Sequence, residues 1–513
     1  MTRRQGSSLT WIRAIAVVLA VQGIALSSAF SLSPSRLPSL SHSRSSATCC
    51  NARKHIRLSH ALVVRCVAHR REVEGSQVHH RQFVPLGSSS DDKDCLSLLS
   101  YNVLGPKQAL TEKHNYASLR HRKWPYRKKQ LLEEIERYNP DILCLQEITP
   151  DTFQHDFTPF LKELGLDSGV YTPKKLPVGE VMSNGKRVVK RKPRPILRPD
   201  LLGTGSHACL GTATFFRSSV LKLLKCERVL LRSKLSTLCD VLDSQEAVSN
   251  GQSSELSGET EGDESTKSLT RRARRRQRGK TRLVPPVDSL SMSLASDVRG
   301  KADTAVFTCF ELKGKEGQGA VRRLGIANVH LFWDPQRPDI KLIQCALACS
   351  SFSAFMKEVQ DQHGEQKTPL ILSGDFNSVR HLQTEFLRNL SQENQEEFSA
   401  VWRLMAKGSV DASHPEHPSS FGSSVDMPSI ANNLPTLQNA YTAGGRELPK
   451  YTTKTGFFAG CIDHIWCTQD VQVQSILEMP YTESDSANFP PIPDATWGSD
   501  HLAIGARFKL PDL

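Results

Sequence analysis

No acidic residue occurs before Glu72, while the first 71 residues hold eleven Arg and Lys. That stretch alone carries +11 of a total formal charge of +13, leaving +2 for residues 72–513. Two further blocks are strongly basic: residues 174–198 and residues 271–282 each sum to +8, leaving −14 for everything else. The acidic remainder argues against a generic basic nucleic-acid-binding domain, and its surplus of carboxylates suits a divalent cation. No CxxC pair appears among the 13 cysteines, which argues against structural zinc and for buried free thiols. The apolar run Ala14–Leu26 is too short for a membrane span of about 20 residues. A Gly-rich dinucleotide loop and an internal repeat are also missing. Hydrophobic residues make up 38% of the chain, and the deficit lies in the N-terminal leader and in residues 240–300, where aromatic residues are nearly absent.

What is present divides the chain. Arg3 and Arg4, the apolar run and the small residues Ser27, Ser28 and Ala29 form a signal-like segment over 1–29. Residues 30–71, rich in Ser and Arg, have transit-peptide composition. Such a leader predicts an organelle, a plastid through a bipartite leader or a mitochondrion. The alternatives are the secretory pathway, or the nucleus or cytoplasm. Residues 72–93 are expected to be a linker and 94–512 a catalytic domain. That domain is interrupted by a basic loop at 174–202 and a disordered insert at 240–302. Strand-like runs fall at 95–104, 141–148, 213–216, 304–312, 324–332, 369–374, 462–467, 471–479 and 503–510. Helical spacing marks 124–138, opened by Pro125 and closed by Asn139-Pro140, and helices are expected at 154–164, 338–358, 381–390 and 395–407. The alternation predicts an α/β fold with mixed sheets.

Several of these strands end in groups able to do chemistry. Asn102 follows LSLLSY, Glu147 follows DILCLQ, and His330 sits in ANVHLF. In SGDFN, Asp375 and Asn377 are two apart; an extended backbone places both on one face, where a carboxylate and an amide suit a hard cation, a phosphate oxygen or a positioned water. The competing reading is an Asx-type turn that caps the strand. CIDHIW places Asp463 in an apolar setting, and GSDHLAIG places Asp500 and His501 before the last strand. An Asp facing a His fixes the tautomer and orientation of the imidazole. His464, next to Asp463, is expected to point to the opposite face in a structural role.

The order Asn, Glu, His, Asp-x-Asn, Asp, Asp-His resembles the endonuclease/exonuclease/phosphatase superfamily, which includes pancreatic deoxyribonuclease and the abasic-site endonucleases. Within it the chain looks most like the carbon-catabolite-repressor-type deadenylases, nocturnin and Angel, through LLSYNVL (98–104), WPYRKKQLLEEI (124–135), PDILCLQEI (140–148) and NAYT…YTT…GCIDHIW (439–466). The resemblance implies a deoxyribonuclease-I-like four-layer α/β sandwich, two packed mixed β-sheets flanked by helices. It implies Glu147 as the main Mg²⁺ ligand, with Mn²⁺ a substitute, helped by Asn102 or Asp500. Asp375 and Asn377 would orient water and a phosphate oxygen, His330 would contact the phosphate, and His501 would sit at the scissile phosphate held by Asp463. The chain departs from the family in CLGTATFF after a long basic loop, in DHIW for the common DYIW, and in having no leucine-rich repeat docking module before the catalytic region.

The activity this implies is a Mg²⁺-dependent 3′–5′ exoribonuclease of the poly(A) deadenylase type, releasing nucleotide 5′-monophosphates. The alternative is a small-molecule phosphatase, such as a nocturnin-like 2′-phosphatase of NADP(H); a catalytically dead RNA-binding protein is the third reading. The partner is RNA (poly(A)) or a nucleotide. The blocks RRARRRQRGK (271–280) and KRVVKRKPR (186–194) are either RNA contacts or solvated loops, the first also resembling a nuclear localisation signal, and RNA contact would make binding salt-dependent. Phe457 and Phe458 are candidates to stack bases, whereas Trp124 and Tyr126 are expected to pack or cap.

Overall fold

A computed structural model describes residues 81–87, 95–174, 210–235, 292–313, 322–382, 398–421 and 427–511. The leader, most of the basic loop and most of the insert lie outside the described residues, as does the expected helix at 381–390 beyond Leu382. The strands that build the two main sheets are β1 (Phe83–Pro85), β2 (Leu96–Asn102), β3 (Ile142–Ile148), β4 (Ser168–Pro173), β5 (Gly211–Phe216), β6 (Leu221–Leu230) and β7 (Thr304–Leu312). They continue with β8 (Arg323–His330), β9 (Leu370–Asp375), β10 (Leu437–Asn439), β11 (Asp463–Thr468), β12 (Gln472–Leu477) and β13 (Ile504–Lys509). The principal helices are α1 (Trp124–Tyr138), α2 (Met292–Gly300), α3 (Pro338–His363) and α4 (Ala400–Lys407).

One sheet runs β1-β12-β13-β2-β3-β5-β4 and the other β10-β11-β9-β8-β7-β6. Each holds one parallel pair, β2 with β3 and β8 with β9, amid antiparallel neighbours. The period-2 alternation explains the layers. On β2, Leu96 and Leu98 face the other sheet, where they join Ile326, Ile371 and Ile465, while Leu99 and Tyr101 face outward onto Leu131 and Ile135 of α1. On the second sheet, Leu324 and Ile326 face inward, and Ala327 and Val329 pack with Ile343, Leu347 and Phe352 of α3. Each such fully buried aliphatic or phenyl group contributes roughly 1.5–3 kcal/mol. The result is helix, sheet, sheet, helix, the four-layer arrangement expected.

Local chemistry accounts for the element ends. Pro125 occupies the first turn of α1, and Asn139 closes that helix in the left-handed region at φ 41°. Thr149 caps the next helical stretch through a capping box, and the chain passes from Pro150–Thr152 through a π-helical turn, Phe153–Phe157, into Thr158–Glu163. Six of the eight free cysteines among the described residues are buried, as thiols inside apolar runs should be.

Two expected boundaries shift. The linker at 72–93 contains β1, which pairs antiparallel with β12. Arg81 anchors it: the side chain is buried, ion-paired to Glu134 at 3.3 Å, and donates to Ala503 O at 2.6 Å, and Tyr101 Oη donates to the same Glu134 at 2.9 Å. The insert expected over 240–302 ends earlier, since residues 292–300 form α2, whose Leu294 and Val298 join the core around α3. The apolar residues of α2 are too few to outweigh its Ser- and Gly-rich approach in a composition reading.

Candidate active site

The polar strand-end residues continue the faces that the two sheets turn toward each other. Asn102 extends the Leu96–Leu98–Ser100 face of β2, His330 the Leu324–Ile326–Asn328 face of β8, and Asp375 the Ile371–Ser373 face of β9. Asp463 begins the Asp463–Ile465–Cys467 face of β11. Register then brings them together: His330 is opposite Asp375, and Asp375 is opposite Asp463. A polar pair between the sheets, Gln146 Nε2 to Asn328 Oδ1 at 2.9 Å, marks where the apolar core gives way to the site.

All eight expected residues lie in this region. Asp375 is the hub. Its Oδ2 accepts from Asn102 Nδ2 at 3.0 Å and lies 3.6 Å from His330 Nε2 and 3.9 Å from His501 Nε2. His501 Nδ1 donates to Asp463 Oδ2 at 2.8 Å, and Thr452 Oγ1 donates to the same oxygen at 2.5 Å. Asn102 Nδ2 also lies 3.4 Å from Glu147 Oε1, and Gly105 N–H donates to Glu147 Oε2 at 2.8 Å. Asp500 Oδ1 stands 4.0 Å from His501 Nε2. Asn102, His330, Asp375, Asp463 and His501 are buried, whereas Glu147 and Asp500 are partly open. His464 points the other way, its Nε2 donating to Ser378 O at 2.9 Å and its ring against Trp402, as expected of a structural residue.

Asn377 departs from the extended geometry expected of SGDFN. The chain leaves β9 at Asp375 and turns: Asn377 N–H donates to Asp375 Oδ1 at 2.8 Å, and Asn377 adopts φ 50°. This is the Asx-type turn. The Asn377 amide donates to Leu331 O at 3.0 Å, beside His330. Asp375 thus spends one oxygen on the turn and the other on the site. Gly374 precedes it at φ 145°, where a Cβ would lie 2.0 Å from Val329 O, so only glycine fits. Glu147 (φ 60°) and Leu104 (φ 52°) are also left-handed, and Glu147 sits in the bulge between Gln146 and Ile148. Such conformations cost about 1–2 kcal/mol each and collect where a site needs a side chain aimed off the strand.

Electrostatics separates the groups. Burial raises the Glu147 carboxyl above its ordinary value, and Asp500 adds to this. Burial, then Asp463, raises Asp375. Burial works against charging His501, but the carboxylates of Asp463, Asp500 and Asp375 together hold its imidazole well above the usual range. His330 is pushed down to about 3 by burial and then by Lys174, so it is neutral at physiological pH. Asp500 is held low against its own burial, first by its hydrogen bond from His114.

Several participants were missed in the sequence. Arg127 is buried beneath the site and donates to Val103 O, Leu104 O and Gly498 O at 2.8–3.0 Å, tying the segments after Asn102 and before Asp500 to α1. Its signal was available: Arg127 lies on the inward stripe with Leu131, Ile135 and Tyr138. His114, Thr452 and Gly105 act from irregular segments, where no periodicity marks them.

The group of His, Cys and carboxylate ligand atoms within 4.8 Å of one another among the described residues is Asp375, Asp463 and His501. The His501 Nδ1–Asp463 Oδ2 contact there is a hydrogen bond. Glu147 and Asp500 fit a hard cation better. They are oxygen donors, partly open, and mutually repulsive enough for Asp500 to raise the Glu147 pKa. Asn102 Oδ1 already accepts from Leu104 N–H at 3.0 Å, and its amide nitrogen faces the carboxylates of Glu147 and Asp375.

Two mixed sheets packed face to face between helices, with an acid, amide and imidazole cluster at the strand ends, define the deoxyribonuclease-I-like class. The sequence pattern of the Endonuclease/Exonuclease/phosphatase family matches residues 99–250, so the resemblance drawn from the strand-end residues holds. The chain is similar to the CCR4-Not complex 3′-5′-exoribonuclease subunit Ccr4 of Schizosaccharomyces pombe, with 26% identity over 81% of this chain and 49% of that protein. It is also similar to Carbon catabolite repressor protein 4 homolog 1 of Arabidopsis thaliana, with 24% identity over 80% of this chain and 57% of that protein. The chain therefore spans about half the length of the curated relatives it matches. Among solved structures, ANGEL2, a 2′,3′-cyclic phosphatase, in complex with adenosine-2′,3′-vanadate, shares the fold at a TM-score of 0.50 and 18% identity, over 84% of this chain and 99% of that one.

Proposed function

We propose that the protein is a Mg²⁺-dependent phosphodiesterase that shortens RNA from the 3′ end, with poly(A) the leading substrate and nucleotide 5′-monophosphates the products. The observation that carries this reading is the Asp463–His501 hydrogen bond beside Asp375, with the partly open carboxylates of Glu147 and Asp500 alongside. Similarity to the 3′-5′-exoribonuclease subunit Ccr4 of Schizosaccharomyces pombe supports the direction of cleavage.

The residues divide the work as follows. His501, held charged, offers a proton and a positive charge to the phosphate, and Asp463 fixes its ring. Asp375, made a stronger base by burial and by Asp463, orients the attacking water and accepts its proton. His330, neutral, is available to the phosphate as an uncharged hydrogen-bonding group, and Asn377 steadies the turn behind Asp375. Glu147 and Asp500 would hold Mg²⁺, with Asn102 steadying Glu147 and the neighbouring Asp375 from its amide nitrogen. A cation there supplies Lewis-acid polarisation of a phosphate oxygen and charge neutralisation.

The test is product analysis after offering oligo(A) and NADPH to one preparation in Mg²⁺. Adenosine 5′-monophosphate released from oligo(A), and lost in Glu147→Ala and His501→Ala, is the expected outcome. Phosphate released from NADPH alone moves the substrate to the small-molecule reading. Wild-type rates in either variant would overturn the site.

A further inference from the structure

The segment between β2 and α1 touches the candidate cation site twice. Gly105 N–H donates to Glu147 Oε2 at 2.8 Å, and nine residues on, His114 Nε2 donates to Asp500 Oδ2 at 3.0 Å. One segment therefore grips both carboxylates best suited to a divalent cation. Glu147 and Asp500 come from distant parts of the chain, so nothing local sets their spacing.

His114 is built into its place. It is 6% exposed, closes the 3₁₀ turn Glu112–His114, and has its ring against that of Tyr116, whose hydroxyl donates to Ile492 O. Its second ring nitrogen lies 3.5 Å from Thr111 Oγ1, which itself donates to Gln108 O at 2.7 Å. The two oxygens of Asp500 are consequently unequal. Oδ2 is occupied by the His114 N–H, while Oδ1 is turned toward Ser499 Oγ at 3.5 Å and His501 Nε2 at 4.0 Å. A carboxylate turns readily about its terminal torsion, and an ion binds it only after that freedom is lost. The hydrogen bond from His114 removes that freedom before the ion arrives. Outer groups that orient a ligand in this way typically set metal affinity by about 10–100-fold.

We propose that His114 is a positioning residue for the divalent cation, fixing Asp500 so that the Glu147/Asp500 site is pre-organised for Mg²⁺. His114 does not touch the reacting atoms. The proposal rests on the reading of Glu147 and Asp500 as the cation site, and the experiment separates the two. The full chain, stripped with chelator, is titrated with MgCl₂ and with MnCl₂ by calorimetry and by thermal shift, as wild type and as His114→Ala, His114→Gln and Glu147→Ala. His155→Gln, at a largely exposed position, is the control. The expected result is a 10–100-fold higher half-saturating Mg²⁺ concentration in His114→Ala and much of the affinity restored in His114→Gln, whose amide still donates. His155→Gln is expected to bind as wild type does, and Glu147→Ala to lose binding. His114→Ala binding Mg²⁺ within twofold of wild type, while Glu147→Ala has lost it, overturns the role of His114 and leaves the cation site standing. Equal weakening in His114→Ala and His114→Gln overturns the hydrogen bond as the cause. Mg²⁺ binding unchanged in Glu147→Ala removes the cation reading and His114 with it. Should His114→Ala not fold, His114→Asn against His114→Gln gives the same comparison, because the shorter amide does not reach Asp500.

Discussion

Asp463→Asn isolates one charge at the centre of the site. Oδ2 of Asp463 receives two hydrogen bonds, from His501 Nδ1 at 2.8 Å and from Thr452 Oγ1 at 2.5 Å. An asparagine carbonyl oxygen in the same place accepts both, so the geometry survives and the charge does not. At 2.8 Å, and with an effective dielectric constant of about 20, the lost attraction on the imidazolium is about 6 kcal/mol before solvation is counted. Burial, which already opposes the charged ring, then faces only Asp500 and Asp375, and the His501 pKa falls. Each unit by which it drops below the working pH costs tenfold in the protonated fraction. We expect hydrolysis of bis(4-nitrophenyl) phosphate at saturating Mg²⁺ and pH 7.5 to fall by up to about 10⁴-fold, the scale of the same change in hydrolytic triads. The alkaline limb of the rate profile should move to lower pH, with an unchanged far-ultraviolet dichroism spectrum. A rate within threefold of wild type, on an unshifted profile, would refute the coupling of Asp463 to His501.

Three further outcomes follow, two from the packing and one from the leader sequence. His464, buried with its pKa pushed down to about 4 by burial, is neutral in the folded state and takes up its proton near 6.5 when unfolded. Its contribution is therefore complete above about pH 6.5 and is lost as pH falls toward 4, by roughly 3 kcal/mol in all; urea unfolding at pH 7.5 and 4.5 should show a smaller loss in His464→Gln than in wild type. Arg127→Met leaves three buried carbonyls without their donor and should lower stability by about 3–5 kcal/mol, read as the denaturation midpoint at constant slope. Residues 1–71 fused to a fluorescent protein should direct it to an organelle, and diffuse cytosolic signal would refute the leader as an address.

Much of the site was legible because it lies where regular structure ends. An apolar run of period two predicts both the strand and the face of its end residues, which is how Asn102, His330 and Asp375 declare themselves at the ends of LSLLSYN, LGIANVH and LILSGD, and Asp463 at the start of DHIWCT. The same rule fails one step past the strand, at Asn377, because the Asp375 carboxylate captures the next-but-one N–H and bends the chain. β1 was hidden because three residues carry no period and its anchor, Arg81, is buried through partners far along the chain, Glu134, Glu478 and Ala503. His114 was hidden for the same reason: its value lies in reaching Asp500 across nearly four hundred residues.

Register also decides where two long stretches of charge are tied down. Pro173 is paired with Gly211, which is itself opposite Ile148 next to Glu147. Leu230 is paired with Thr304, which is opposite His330. The ends of the segment bearing the 174–198 block, and of the segment bearing the 271–282 block, are thus stitched to the sheets at the catalytic rim rather than at the far end of the strands. Tethering of this kind sets an effective concentration. Sixteen net positive charges have their leash points beside one acidic cleft, so a polyanion and a dinucleotide should differ in how steeply added salt weakens them.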